Sequence, residues 1–331
     1  LEKLTFNLMI IRQGIYKKIQ QKDIKDIIEK NFSDFLPPWM EGVLEWTQNA
    51  YVNFKDHHKH LIIIYLINRA LLFYKKKFSK IDMNKFFKKE FIEAEKINII
   101  QISEDLRIPE ESIRRKIKEL QREGFIHKHK KIIIMTRKAF NVMEDKKTIL
   151  RISRFLALFS KFLANNKSQV KAEKTKNIHH NILNNFTHIW QSFYEMQIPL
   201  IVNWKNFFKD LETYQIWGVC TMNRIYHKQN DINKKTILDM DSYIHELTGS
   251  NNKILKTKGI NAMTISDITQ IPRTTVIRKL QKLIEMKFLI IDKYKLYHIS
   301  SVGTEMISVK IVDKQKKLIV KFLAKFYNQL V

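Results

Sequence analysis

The strongest constraint on this 331-residue chain is that one stretch of it occurs twice. Ile265 to Leu289, ISDITQIPRTTVIRKLQKLIEMKFL, aligns without a gap on Ile102 to Ile126, ISEDLRIPEESIRRKIKELQREGFI, 163 positions earlier. Eight of the 25 positions are identical: Ile102, Ser103, Ile108, Pro109, Arg115, Lys116, Leu120 and Phe125 fall under Ile265, Ser266, Ile271, Pro272, Arg278, Lys279, Leu283 and Phe288. Mismatches such as Glu104/Asp267, Ser112/Thr275 and Ile113/Val276 are mild. The repetition continues outside this stretch. Asn68-Arg69 is matched by Asn223-Arg224, Asp82-Met83 by Asp239-Met240, and Arg154 to Leu163 by Lys321 to Leu330. The offset drifts from 155 through 157 and 163 to 167, as small loop insertions would produce. The chain therefore reads as a tandem duplication.

Each copy reads as a short helix, a tight turn and a longer helix. Pro109 and Pro272 mark where the longer helix starts, because the first helical turn has no use for an amide hydrogen there. From each proline, Ile113, Ile117 and Leu120, or Val276, Leu280 and Leu283, recur at spacings of four and three, so one stripe is apolar and buried. The opposite face of the second copy carries Arg273, Thr274, Thr275, Arg278, Gln281 and Lys282; the first copy places Ser112, Arg114, Arg115 and Lys118 there. These side chains donate to guanine edges, adenine edges and phosphates. A strand pair follows in both copies, Phe125 to His127 with Lys131 to Met135, and Phe288 to Ile291 with Leu296 to Ser300.

Helix, turn, helix and two-stranded wing in this order resemble the winged helix-turn-helix of MarR-type bacterial transcription regulators, most specifically in the run IPRTTVIRKLQKL. The resemblance implies a mainly α fold with small β wings, here a tandem duplication flanked by long helices. It also implies that the flanking helices form a dimer core and can hold an effector pocket; no ligand signature is legible in them. Such regulators place two recognition helices in successive major grooves of double-stranded DNA. This chain holds both copies, so it is expected to act as a monomeric pseudo-dimer or a homodimer of such chains. The wing lysines Lys128, Lys130 and Lys131, and Lys293 and Lys295, are placed for backbone or minor-groove contact.

Composition fits that partner. Sixty Lys and Arg against 33 Asp and Glu give +27, which argues for a polyanion, although abundant Lys, Ile and Asn beside 7 Gly and 5 Pro also suggest AT-rich coding. The copies differ in charge. The second reading helix carries Arg273, Arg278, Lys279, Lys282 and Lys287 against Glu285 alone, whereas the first offsets Arg114, Arg115, Lys116, Lys118 and Arg122 with Glu110, Glu111, Glu119 and Glu123. Acids at the start of a reading helix repel phosphates, so the second copy is expected to be the stronger base reader.

Along the chain, residues 1–35 read as an N-terminal helical arm stopped at Pro37-Pro38, 36–165 as the first winged repeat, 166–189 as a basic linker, and 190–331 as the second repeat. The helix-turn-helix units span 102–126 and 265–289, with wings at 125–135 and 288–300. A buried helix is expected over Leu61 to Tyr74, a shorter one over Ile81 to Glu95, and a long one over Lys146 to Asn165. Lys146 to His180 carries nine Lys or Arg against the single acid Glu173, which reads as a connector along phosphates or a solvated linker, and would also suit an anionic membrane surface.

Other chemistry finds little support. A lone Cys220 excludes an intrachain disulfide and a multi-cysteine zinc site, and fits a reducing cytoplasm. Asp56-His57-His58-Lys59-His60 lacks a second ligand cluster, so no metal is expected, and no cofactor. No nucleophile elbow, phosphate loop or dinucleotide fingerprint occurs, so an enzyme is not expected. The longest apolar run, Leu61 to Ile67, is too short to insert in a membrane, and no signal peptide is legible. The chain begins at Leu1, which reads as an unusual start codon or a missing piece. Trp39, Trp46, Trp190, Trp204 and Trp217 with their neighbouring Phe and Tyr read as packing rather than a ligand cage. A winged-helix assembly scaffold and a plasmid-type replication initiator remain the alternatives.

Overall fold

The computed structural model describes residues 18–77, 80–89, 92–93, 98–129, 132–139, 146–166, 171–231, 237–249, 254–256 and 258–330. Among these the chain is mainly α-helical, with two small antiparallel sheets. The first half runs α1 (Gln21–Lys30), α2 (Phe32–Phe54), α3 (His57–Lys77), α4 (Met83–Phe87), β1 (Ile92–Glu93), α5 (Ile99–Leu106), α6 (Glu110–Arg122), β2 (Ile126–His129), β3 (Ile132–Met135) and α7 (Lys146–Asn166). The second runs α8 (Thr175–Asn184), α9 (Phe186–Phe208), α10 (Leu211–Asp231), α11 (Met240–Thr248), α12 (Ala262–Thr269), α13 (Arg273–Glu285), β4 (Leu289–Ile291), β5 (Tyr297–Ile299), α14 (Ser301–Ile307), a π-helical turn at Ser308–Val312, and α15 (Asp313–Leu330).

Corresponding helices of the halves share their lengths: 23 residues in α2 and α9, 21 in α3 and α10, 8 in α5 and α12, 13 in α6 and α13. Their ends match as well. Asn31 and Asn185 both take φ −112 and ψ 32, and α2 and α9 both stop at a lysine in left-handed backbone, Lys55 (φ 49) and Lys209 (φ 73).

The core lies between the long helices. In α3 Leu61, Ile62, Ile63, Ile64 and Leu66 are all fully buried, as a helix apolar on every side must be. It packs on α9, which also lies on α10 and α15, while α2 packs on α10, α3 and α7. The first helix of each half rests on the last helix of the other: α1 on α15, α8 on α7. Aromatic contacts tie the halves together, Trp46 to Phe193 at 5.1 Å and Phe86 to Phe186 at 5.5 Å between ring centroids. The tryptophans and the thiol of Cys220 are buried in this core.

Both hairpins are antiparallel. In one sheet Ile126 faces Met135 and His129 faces Ile132, with Ile92 of β1 added beside Met135. In the other Leu289 faces Ile299 and Ile291 faces Tyr297, and the third strand is reduced to one bridge, Ile260 to Tyr297. An aromatic pair anchors each hairpin base, Phe54 to Phe125 and Phe208 to Phe288, both 5.1 Å apart. The turn into the first hairpin needs a left-handed residue, supplied by Gly124 (φ 75); Lys287 (φ 62) takes that conformation in the second.

Several expectations from the sequence are corrected. Pro37 and Pro38 do not stop a helix; they lie inside α2, as Pro199 lies inside α9. Each proline costs about 3 kcal/mol in a helix interior, and burial of Phe35, Trp39, Met40, Val43 and Trp46 along the same helix outweighs it. Of the expected arm, residues 1–17 lie outside the described residues, and α1 buries Ile24, Ile27 and Ile28 in the common core. The expected linker contains α8, whose Ile178 and Ile182, one turn apart, are fully buried. The helix expected over 81–95 shrinks to α4, started by the Asp82 carboxylate accepting from Lys85 N at 2.8 Å; Ile92 then pairs as a strand. Pro109 and Pro272 are N-cap residues rather than first-turn members. No described helix is long and apolar enough to cross a membrane.

The Asp56 to His60 run is a helix start. His57 is 7% exposed and its Nε2–H donates to Thr47 O at 3.2 Å. Burial pushes its imidazole from the ordinary 6.5 down to about 4. Below pH 6.5 the unfolded chain therefore takes a proton that the folded chain refuses, and this site loses about 1.4 kcal/mol of stability per pH unit until about pH 4. Denaturant melts from pH 7 to 4 should fall accordingly, and His57→Gln, which keeps a donor for Thr47, should flatten the fall; an unchanged slope would count against this role.

Candidate nucleic-acid interface

The helices α6 and α13 are presented by the same local construction. The shorter helix before each ends on a residue in left-handed backbone, Arg107 (φ 50) or Gln270 (φ 60), and the following proline, with φ −52, opens the longer helix. A serine hydroxyl closes the turn: Ser103 Oγ donates to Ile108 O at 2.6 Å and Ser266 Oγ to Ile271 O at 2.7 Å. Ile108 and Ile271 are buried beneath it, so the repeated Ser, Ile and Pro are turn chemistry.

Carbonyls at the ends of the shorter helices are satisfied from the scaffold. Lys205 of α9 donates to Leu106 O and Arg107 O, both at 2.7 Å, an ammonium placed where the helix dipole favours it. Burial, and after it the charge of Arg107, lowers the Lys205 pKa to about 8. At the end of α12 two amides serve instead, Gln48 to Ile268 O at 2.7 Å and Gln215 to Thr269 O at 3.3 Å.

Lys116 and Lys279, identical in the two copies, do not face outward. Lys279 Nζ lies 2.7 Å from Asp210 and 3.4 Å from Glu212; Lys116 Nζ lies 2.7 Å from Asp56 and 2.9 Å from Glu119. The two aspartates hold equivalent places. Asp56 accepts from His58 N and Lys59 N before α3, and Asp210 accepts from Thr213 N before α10. Burial alone would raise the Asp210 pKa, but hydrogen bonds from Lys279 and Thr213 overcome it and hold it low; at Asp56, Lys116 overcomes burial in the same way. Each of α6 and α13 is thereby fastened to the start of a long core helix. This corrects the surface charge expected of α13, because Lys279 belongs to the scaffold contact. Lys282, half-buried and 3.5 Å from Asp210, is drawn toward it.

What remains exposed is a stripe. In α13 it comprises Arg273, Thr274, Ile277, Arg278, Gln281 and Glu285, with Thr275 half-buried at its edge. Gln281 Nε2 donates to Glu285 Oε1 at 3.3 Å. In α6 the stripe is Glu110, Glu111, Arg114, Arg115, Lys118 and Arg122, with Ser112 at the edge. Here Arg114 sits 3.3 Å from Glu110 and Arg115 3.9 Å from Glu119, so carboxylates already accompany both guanidiniums. Lys128 is exposed on β2, whereas Lys130 and Lys131 lie outside the described residues. Lys293 and Lys295 are exposed at the tip of the second hairpin. Asp292 fixes that tip by accepting from Tyr294 N and Leu296 N, both at 2.9 Å, and from His298 Nε2 at 3.1 Å.

Among the exposed apolar residues that escaped the sequence reading are Ile277 (45% exposed) and Tyr294 (70%), the latter with the Lys293 ammonium 5.0 Å from its ring centroid. A signal existed for Ile277: it is out of phase with the buried positions 276, 280 and 283. Behind α12 a cleft of about 520 Å³ opens between α2 and α10, floored by Leu44, Val219, Met222 and Ile268 and rimmed by Glu41 and Arg151. Arg151 also pairs with Glu45 at 2.6 Å, and Tyr226 OH donates to Glu41. No three His, Cys, Asp or Glu side chains converge as a metal set among the described residues. No known protein family, characterised protein or solved structure matches the chain.

Removing a lysine from its carboxylates tests the fastening. Breaking a buried ion pair costs about 3–5 kcal/mol, reduced toward about 1–2 kcal/mol because solvent screens carboxylates as exposed as Asp210 (30%) and Asp56 (24%). Lys279→Met should raise amide exchange in α13 and β4 while sparing α6, and Lys116→Met should do the reverse. Equal protection in variant and parent would remove the fastening role.

Proposed function

We propose that this protein is a sequence-specific double-stranded DNA-binding transcription regulator. In this reading it is a MarR-like tandem winged helix-turn-helix chain whose two units form an intrachain pseudo-dimer. The observation that carries the proposal is the exposed stripe on α13, where Arg273, Thr274, Arg278 and Gln281 stand together on a helix fastened by its opposite face. Such a helix presents bidentate and single donors to base edges from a fixed frame. The hairpin behind it, tipped by Lys293 and Lys295, suits the flanking backbone.

The pseudo-dimer rests on the matched helix lengths and caps, on the equivalent lysine–aspartate contacts, and on the exchange of first and last helices between the halves. A dimer core of this kind sets two reading helices to successive major grooves, so half-sites about ten base pairs apart are expected. They should be unlike half-sites, because α6 and α13 differ in their exposed side chains. The cleft behind α12 is the place for an effector of unidentified chemistry, since its floor includes Ile268 of the helix that positions α13.

Selection from a random duplex pool at physiological salt tests the reading. It should return one motif with two unequal half-sites, and its affinity should fall about 10³–10⁵-fold between 50 and 200 mM salt if 6–10 phosphates are neutralised. An assembly scaffold would enrich nothing. On the selected duplex Arg278→Ala should weaken binding by about 1–3 kcal/mol, and Arg115→Ala by clearly less because Glu119 already accompanies it; equal losses would contradict the asymmetry.

A further inference from the structure

We propose, resting on the DNA-binding reading above, that Ile277 reads the 5-methyl group of a thymine, and that the half-site taken by α13 contains a thymine facing this side chain. Ile277 stands at the centre of the exposed stripe, with Arg273 and Thr274 one turn before it, Arg278 beside it and Gln281 one turn after. It is 45% exposed and lies outside the core, which takes Val276, Leu280 and Leu283 from the same helix. A β-branched side chain is also a poor choice for an exposed helix position on propensity alone. Its place among donors therefore calls for a partner that is apolar at one point and polar or anionic around it.

The major groove offers one apolar group, the thymine methyl; the edges of guanine, cytosine and adenine present donors and acceptors that an isoleucine would desolvate without replacing their hydrogen bonds. A second copy of this chain is a poorer occupant. The guanidiniums of Arg273 and Arg278 flank Ile277, and self-association through this patch would bring like charges together. The corresponding residue of α6, 163 positions earlier, is Arg114, already beside Glu110. The stripe of α6 is charged throughout, so it has no equivalent contact. Thymine reading by an aliphatic side chain belongs to the second head.

The test replaces, one at a time, each thymine of the selected duplex by deoxyuridine, which removes the methyl and leaves the pairing and groove hydrogen bonds intact. The parent protein should bind about fourfold more weakly at one position, the effect of one buried methyl group. Ile277→Ala should bind the thymine duplex more weakly by a similar factor and be indifferent to deoxyuridine at that position, while Ile277→Val retains most of the discrimination. If no position is sensitive in the parent, or Ile277→Ala keeps the same sensitivity, the inference is overturned while duplex recognition stands. A lower melting temperature for Ile277→Ala would assign the side chain to packing and overturn it too. If the pool yields no motif, the DNA reading itself fails and takes this inference with it.

Discussion

Two short ion pairs determine which faces of α6 and α13 stay exposed. Lys116 with Asp56 and Lys279 with Asp210, both at 2.7 Å, join the middle of α6 and of α13 to the residue just before a long core helix. A helix of 13 residues is marginal by itself in water. Its apolar side gives burial but little rotational definition, since side chains of similar volume repack at small cost. A lysine held on one side by an aspartate that is itself fixed by backbone amides adds the missing direction. Once it is in place, the residues on the far side have no choice but to be the stripe that solvent or a ligand meets.

The halves also exchange elements. With α1 resting on α15 and α8 on α7, the core is continuous across the two halves. Ile19 and Asn328, whose amide groups bond reciprocally at 2.9 Å, fasten the beginning of the described chain to its end. An arrangement of this type in separate chains depends on concentration; within one chain the partner is present at the effective concentration of a tether. Under the proposed reading, that lets two heads diverge without either losing its companion, which two copies of one gene product cannot do.

Under the tandem-duplication reading, the two copies have diverged side chain by side chain. Where α13 shows Arg273, Thr274 and Ile277, α6 shows Glu110, Glu111 and Arg114 at the same positions. The buried positions and the turn beneath them changed little, because a different volume or a lost serine hydroxyl there would cost stability. The exposed positions were free to change.

The sequence by itself determined the repeat, the helical phase of each copy, the turn at Ser103 to Pro109 and Ser266 to Pro272, and the hairpins, because these depend on local backbone preference and on which positions avoid water. It also marked the outward faces, from which Arg273, Thr274, Arg278 and Gln281 emerge as expected. Tertiary structure decided the rest. Pro37 and Pro38 run inside a helix because its own Trp39 and Trp46 are buried in the core, Trp46 against Phe193. The isoleucines of α8 become core because α7 lies across them. Lys279 leaves the surface because Asp210, 69 positions away, waits beneath it. Charge and hydropathy are properties of a residue, but whether a lysine meets solvent or a carboxylate is a property of what the rest of the chain brings next to it.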